Sequence, residues 1–211
     1  MKKIISAILI TVVIFSFAAC KQNDTEETTL LPDETTVREE VTTVESLTVE
    51  EYEPAHALIV SFSHNDPVEL AASYIGEKTE SKVHILETVG VYPEDEEELI
   101  KRAAEEHRNN VRPALKNAPK GMTEYDIVFL CFPIWDNTMP MAMFTFLEDY
   151  DMRDKAVIPV VYGTKDGLDN AVYDMHSLFP SMMIAGGYHF LSDLTTEQAA
   201  FDSWLDTVLY G

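Results

Sequence analysis

Trp135, Asp136, Asn137 and Thr138 are the residues best placed to do chemistry in this sequence. They follow an unbroken apolar run, Ile127 to Phe132, that stops at Pro133 and Ile134. A short run rich in β-branched and aromatic residues reads as a strand buried on both faces. A helical pattern begins near Pro140. Strand, loop, helix is the unit that presents loop side chains at the carboxyl edge of a parallel sheet, where ligands bind in this class of architecture. An indole can lie against a flat ring. Asn137 tolerates a positive φ, and Asp136 adds a carboxylate, so the loop favours an uncharged or weakly charged face of a ligand.

Two more loops follow the same logic. The run from His56 to Phe62 reads as a first buried strand, and Ser63, His64, Asn65 and Asp66 follow it. Ala156 to Tyr162 reads as another, followed by Tyr162-Gly163-Thr164-Lys165-Asp166-Gly167. Tyr162 can face a flat ring from the other side, and Lys165 is a rare positive charge near the site. Other reactive residue types form no readable constellation. His84, His107, His176 and His189 lack metal-ligand spacing. Ser61 and Ser63 lack a nucleophile elbow or a paired base. Met139, Met141 and Met143 read as core filler. No catalytic side chain and no metal site is expected.

The chain has 211 residues and a formal net charge of −22. Such a charge repels a phosphate polymer, so nucleic acid is not an expected partner. The two cysteines, Cys20 and Cys131, serve different segments and suggest no disulfide framework. Cys131 falls inside a predicted buried strand and reads as a small hydrophobe.

Three segments differ in texture. Lys2 and Lys3 precede an apolar stretch, Ile4 to Phe17, of about 14 residues, short for a membrane span. Ala18, Ala19 and Cys20 then complete a signal-peptide pattern. Phe17-Ala18-Ala19-Cys20 resembles the bacterial lipobox, which implies lipidation at Cys20 and a lipid membrane as partner on the outer, extracytoplasmic face. Residues 21–54 are rich in Thr and Glu, and their like charges and low hydrophobicity favour a solvated tether. Residues 55–211 carry the periodic elements of a single domain.

These elements alternate. A helix is expected over Pro67 to Gly76, a second strand over Lys82 to Glu87, and an acidic helix over Glu94 to Asn110 with Leu99, Ala103 and Ala104 inward. The third strand leads to a helix over Met139 to Asp149. The fourth contains Pro159, which removes a ladder donor. A helix over Leu168 to Phe179, a weaker fifth strand over Ser181 to Ala185 and a last helix capped at Thr195 complete the chain. That helix should turn Phe201, Trp204, Leu205 and Val208 inward. Alternating strands and helices mean an α/β fold with a parallel sheet covered on both faces.

The segments Phe132-Pro133-Ile134-Trp135, Thr138-Met139-Pro140 and Phe144-Thr145-Phe146-Leu147-Glu148 are similar to the Y-P-I-W-W-G-T-M-P…F-L-E motif of flavodoxins and small FMN-dependent reductases. Weaker matches are Val60-Ser61-Phe62-Ser63, Tyr92-Pro93-Glu94, Arg112-Pro113, Tyr125-Asp126 and Gly167-Leu168-Asp169-Asn170. The resemblance covers Ala57 to about Leu209. It implies a flavodoxin-like three-layer sandwich with a five-stranded parallel sheet of order 2-1-3-4-5. It also implies FMN bound noncovalently for electron transfer or oxidoreduction, and a redox partner protein. Ser63, His64, Asn65 and Asp66 take the place of the phosphate loop. Pro133, Ile134, Trp135, Asp136, Asn137 and Thr138 take that of the ring loop. Tyr162, Gly163 and Gly167 stand in the third.

The first loop departs from the resemblance. Where the group has S-R-T-G-N-T, this chain has Ser63-His64-Asn65-Asp66-Pro67-Val68. Pro67 has no N–H to give a phosphate, and Val68 has no hydroxyl. Asp66, Pro67 and Glu69 suit the cap, first and third positions of a helix that caps itself. A carboxylate about 4 Å from a phosphate charge costs about 4 kcal/mol at an effective dielectric of 20, about three decades of affinity. His64, when protonated, recovers part of it. Three readings therefore stay open: an FMN electron carrier with a weakened phosphate grip, a flavin-free binding or scaffold module, and a binder of a flat ligand that lacks a phosphate.

Overall fold

The computed structural model describes residues 56–63 and 66–210, with only the backbone at Asp66. The signal segment with Cys20, the tether, His64 and Asn65 lie outside the described residues. Within them the chain runs β1 (Ala57–Ser61), α1 (Asp66–Lys78), β2 (Lys82–Ile85), α2 (Glu96–Arg108), β3 (Ile127–Pro133), α3 (Met141–Asp149), β4 (Ala156–Tyr162), α4 (Lys165–Leu178), β5 (Met183–Ile184), β6 (Tyr188–Phe190) and α5 (Leu194–Tyr210). The sheet order is β2-β1-β3-β4-β5, all parallel, with β6 also pairing with β4.

Side-chain alternation sorts the strands into two core layers. Leu58, Val60, Val128, Leu130, Phe132, Val157 and Val161 face α2, α3 and α4. Ala57, Ile59, Phe129, Cys131, Ile158 and Val160 face α1 and α5. Strands β3 and β4 are apolar at every position because both faces are covered, while β1 ends at the buried Ser61. Cys131 is fully buried, and burial holds its thiol well above the ordinary range, so it packs as a hydrophobe.

Pro159 sits within the sheet because its missing donor points at a gap. Backbone groups alternate sides along a parallel strand. The carbonyl of Val157 accepts from Ala185 N at 2.9 Å, and Gly163 N donates to Phe190 O at 2.8 Å. Pro159 therefore faces the same side, between the end of β5 and the start of β6. The fifth position thus differs from the single strand expected over Ser181 to Ala185. It is two short strands separated at Gly186 and Gly187. A Cβ at Gly187 would lie 2.7 Å from the Pro159 carbonyl oxygen, so the chain passes there only as glycine.

The helix starts differ from expectation: α1 already includes Asp66, the residue expected as its cap, α2 begins at Glu96 and not Glu94, and α4 begins at Lys165, three residues before Leu168. The last helix is capped by Asp193, whose carboxylate accepts from Thr195 N at 2.9 Å, and not by Thr195. The helix after β3 begins at Met141, with Pro140 as its cap residue. In α2, Ala104 is half-buried and Glu106 takes the buried position beside Leu99 and Ala103. In α5, Phe201 and Leu205 are buried and Trp204 and Val208 half-buried.

Candidate functional site

Because the strands are parallel, the loops after β1, β2, β3 and β4 leave from one edge. Register places Ser61 beside Cys131 and Pro133 beside Tyr162. Phe62 N still donates to Cys131 O at 2.9 Å, and Ile134 N to Tyr162 O at 2.9 Å, so both loops start from fixed points.

The loop after β3 is held at each residue from Ile134 to Thr138. The Ile134 side chain lies between Gly163 and Gly167. A Cβ at Gly163 would be 2.5 Å from Ile134 Cγ1, and one at Gly167 would be 2.6 Å from Ile134 Cγ2. These two glycines, expected to contact a cofactor, make room for Ile134. Trp135 and Thr138 exchange backbone hydrogen bonds of 2.9 and 3.1 Å. Between them Asp136 and Asn137 have φ of 46° and 64°. Two left-handed central residues define a tight hairpin turn that Asn and Asp tolerate. Asn137 takes the positive φ its type suggests, and Asp136 does so too.

Side chains from two helices hold the turn. His107 Nδ1 in α2 lies 2.7 Å from Asp136 Oδ2. In α4, Asn170 Nδ2 donates to Asn137 O at 3.0 Å, and Asp174 accepts from Thr138 Oγ1 at 2.6 Å. Thr138 is buried, so its hydroxyl is committed to Asp174. Thr164 caps α4 by accepting from Gly167 N at 3.1 Å. Lys165 is paired with Asp169 one turn on, at 2.5 Å, with both side chains largely exposed.

Trp135 faces the β1 side of its loop. Its ring centroid is 5.6 Å from Phe62 and 5.1 Å from Tyr92. Edge and tilted contacts at these distances are the favoured aromatic geometries. A cleft of about 360 Å³ opens beside this cluster, lined by Phe62, Ser63, Leu86, Val91, Tyr92 and Trp135 among others. The Lys116–Glu87 ion pair, 2.5 Å long, borders it. Tyr162 does not share this cluster. It packs 5.5 Å from Phe190 in the layer under α1 and α5.

Behind Tyr92 lies a polar network that sequence reading missed. Tyr92 Oη donates to Glu106 Oε2 at 2.6 Å, and Arg102 Nε donates to Glu106 Oε1 at 2.8 Å. The Arg102 guanidinium lies 3.8 Å from the Tyr92 ring centroid. Burial, and then the Glu106 carboxylate, push the Tyr92 phenol well above its ordinary range. Arg102 and Glu106 are spaced one helical turn apart on a charged helix, a pattern usually solvated. The only cue to burial is Glu106 recurring with Leu99 and Ala103 on the inward stripe. No cluster of His, Cys, Asp and Glu that could hold a metal occurs among the described residues.

The sheet order, the two helical layers and the loops gathered at one edge define a flavodoxin-like α/β domain. The flavodoxin family profile matches residues 57–208, and the chain belongs to that family. A candidate flavoprotein from Bacteroides eggerthii shares the fold with TM-score 0.61 and 23% identity, over 71% of this chain and 97% of that one. A second, from Bacteroides uniformis, gives TM-score 0.61 and 24% identity over 71% and 99%. A flavoprotein from Lactobacillus acidophilus, solved in complex with FMN, gives TM-score 0.57 and 15% identity over 69% and 97%. No curated protein gives a match.

Proposed function

We propose that this chain is a lipid-anchored, extracytoplasmic flavodoxin that binds FMN at the carboxyl edge of its sheet and passes electrons to a redox partner protein. The observation that carries the reading is the fully held turn from Ile134 to Thr138, a rigid platform at the edge where α/β sheets bind ligands. The residues fit a flat ring. Trp135, half-buried at the rim of the cleft with the buried Tyr92 behind it, offers aromatic surface, and the turn offers backbone groups. His107 partners the Asp136 carboxylate, which softens the repulsion that carboxylate would exert on an anionic ligand. Ser63 would approach the phosphate end. FMN, when bound, supplies the electron-accepting ring, so the protein needs no catalytic side chain.

The phosphate end is the weaker half. Asp66-Pro67-Val68 removes one N–H and one hydroxyl and adds a carboxylate. The anchor rests on the lipobox-like end at Cys20, and the family membership supports a flavin. The test is a titration of FMN into the purified full chain, read by flavin fluorescence and absorbance. Saturable binding is expected, tightened about a hundredfold or more by Asp66→Asn, since a removed like-charge pair is worth up to about three decades. No binding at tens of micromolar FMN overturns the reading and leaves a flavin-free binding module.

A further inference from the structure

Two consecutive residues in the last turn of α2 hold the two walls that meet at Trp135. Glu106 is buried and accepts from Tyr92 Oη at 2.6 Å, which fixes the wall after β2. Arg102, one turn earlier, reinforces it by donating to Val91 O at 2.6 Å while covering the Tyr92 ring. His107 binds Asp136 at 2.7 Å, which fixes the turn after β3. Tyr92 and Trp135 then stand 5.1 Å apart. Helix α2 packs on α3 and sends Leu99 into the core, so it is a fixed element from which to hold a site.

We propose that Glu106 and His107 are positioning residues. Glu106 sets Tyr92, and His107 sets the turn while partnering the charge of Asp136 beside the ligand. This rests on the reading that a flavin ring lies at Trp135. A hydrogen-bonded histidine–carboxylate contact with side chains 43% and 38% exposed is worth up to about 1 kcal/mol, which is about fivefold in affinity.

The test uses the full chain with FMN as probe. His107→Ala is expected to weaken FMN binding about three- to fivefold. Adding Asp136→Asn to that chain is expected to restore affinity to within about twofold of the parent, because no charge then needs a partner. A double variant as weak as His107→Ala alone overturns the charge role. A second readout needs no flavin. The chain has two tryptophans, Trp135 and Trp204, so Trp204→Phe isolates Trp135 emission. In that background Tyr92→Phe and His107→Ala are each expected to shift the emission, and Arg153→Ala, at the opposite sheet edge, is not. If the parent fails to bind FMN, the functional reading falls while this emission test still judges the positioning. An unchanged Trp135 spectrum in both variants overturns it.

Discussion

Gly167→Ala pits two effects of known sign against each other. Gly167 stands in the first turn of α4, where alanine is the better helix former by about 1 kcal/mol. Propensity alone therefore predicts stabilisation. The added Cβ, however, would meet Ile134 Cγ2 at 2.6 Å, Cγ1 at 2.8 Å and Cβ at 3.2 Å. Three atoms of one β-branched side chain cannot all swing away, because χ1 of isoleucine is stiff. A Cβ at Gly163 would likewise fall 2.5 Å from Ile134 Cγ1, so both glycines lie against the same side chain. Overpacking of this kind costs about 1–3 kcal/mol, so the net expectation is a loss of about 0–2 kcal/mol. Ile134→Ala removes both γ-carbons. In that background Gly167→Ala is expected to stabilise by about 1 kcal/mol. Urea unfolding of the four chains gives the coupling energy, expected at about 1–3 kcal/mol with an unchanged m-value. A coupling near zero would refute the claim that Ile134 is why these loop and helix positions are glycine.

Two further outcomes follow from the geometry and a third from the lipobox-like segment. Gly187→Ala is expected to destabilise by about 1–3 kcal/mol, because its Cβ meets a backbone carbonyl at 2.7 Å, whereas Gly186→Ala, with nothing within 4 Å, is expected to be neutral or stabilising on thermal melts. His84 has its pKa lowered from 6.5, chiefly by burial and then by Lys82, against a smaller opposing hydrogen bond from Asn117. The unfolded chain therefore binds this proton more readily, so stability is full above 6.5 and is lost as pH falls through the folded value; His84→Gln is expected to shrink the Tm drop between about pH 7.5 and about pH 5.5. Cys20→Ser is expected to abolish incorporation of labelled palmitate and release the chain from the membrane fraction, while its melting transition stays unchanged.

The sheet was legible in the sequence where burial leaves no freedom. β4 begins and ends where its apolar run does, and β3 overruns its own by a single residue, Pro133. Both are covered on two faces, so every position must be apolar. The fifth position was not legible, because two- and three-residue strands carry too little pattern to outweigh their flanks. The cue there was Gly186-Gly187, which makes a gap within one sheet position. Of the site, the turn was legible through Asn137 and its proline-bounded loop. The grip of α2 was not, since Glu106 and His107 lie on a helix whose composition reads as solvent-facing. Only three dimensions bring Tyr92, Asp136 and that helix together.

The gap at Gly186 and Gly187 has a consequence for how copies of this chain behave when crowded. A sheet edge is a row of free N–H and C=O groups that can template another strand. Here that row is cut into pieces of two and three residues, and Trp204 Nε1 donates to the Gly186 carbonyl at 3.2 Å, which occupies an acceptor within the break. At the other edge, β2 has only four residues. The continuation of β2 is already paired, with Val89 N donating to Ala114 O at 2.8 Å and Lys116 N to Glu87 O at 2.7 Å. Neither edge offers a run long enough to recruit a second chain, so the domain resists strand-to-strand aggregation at high local density.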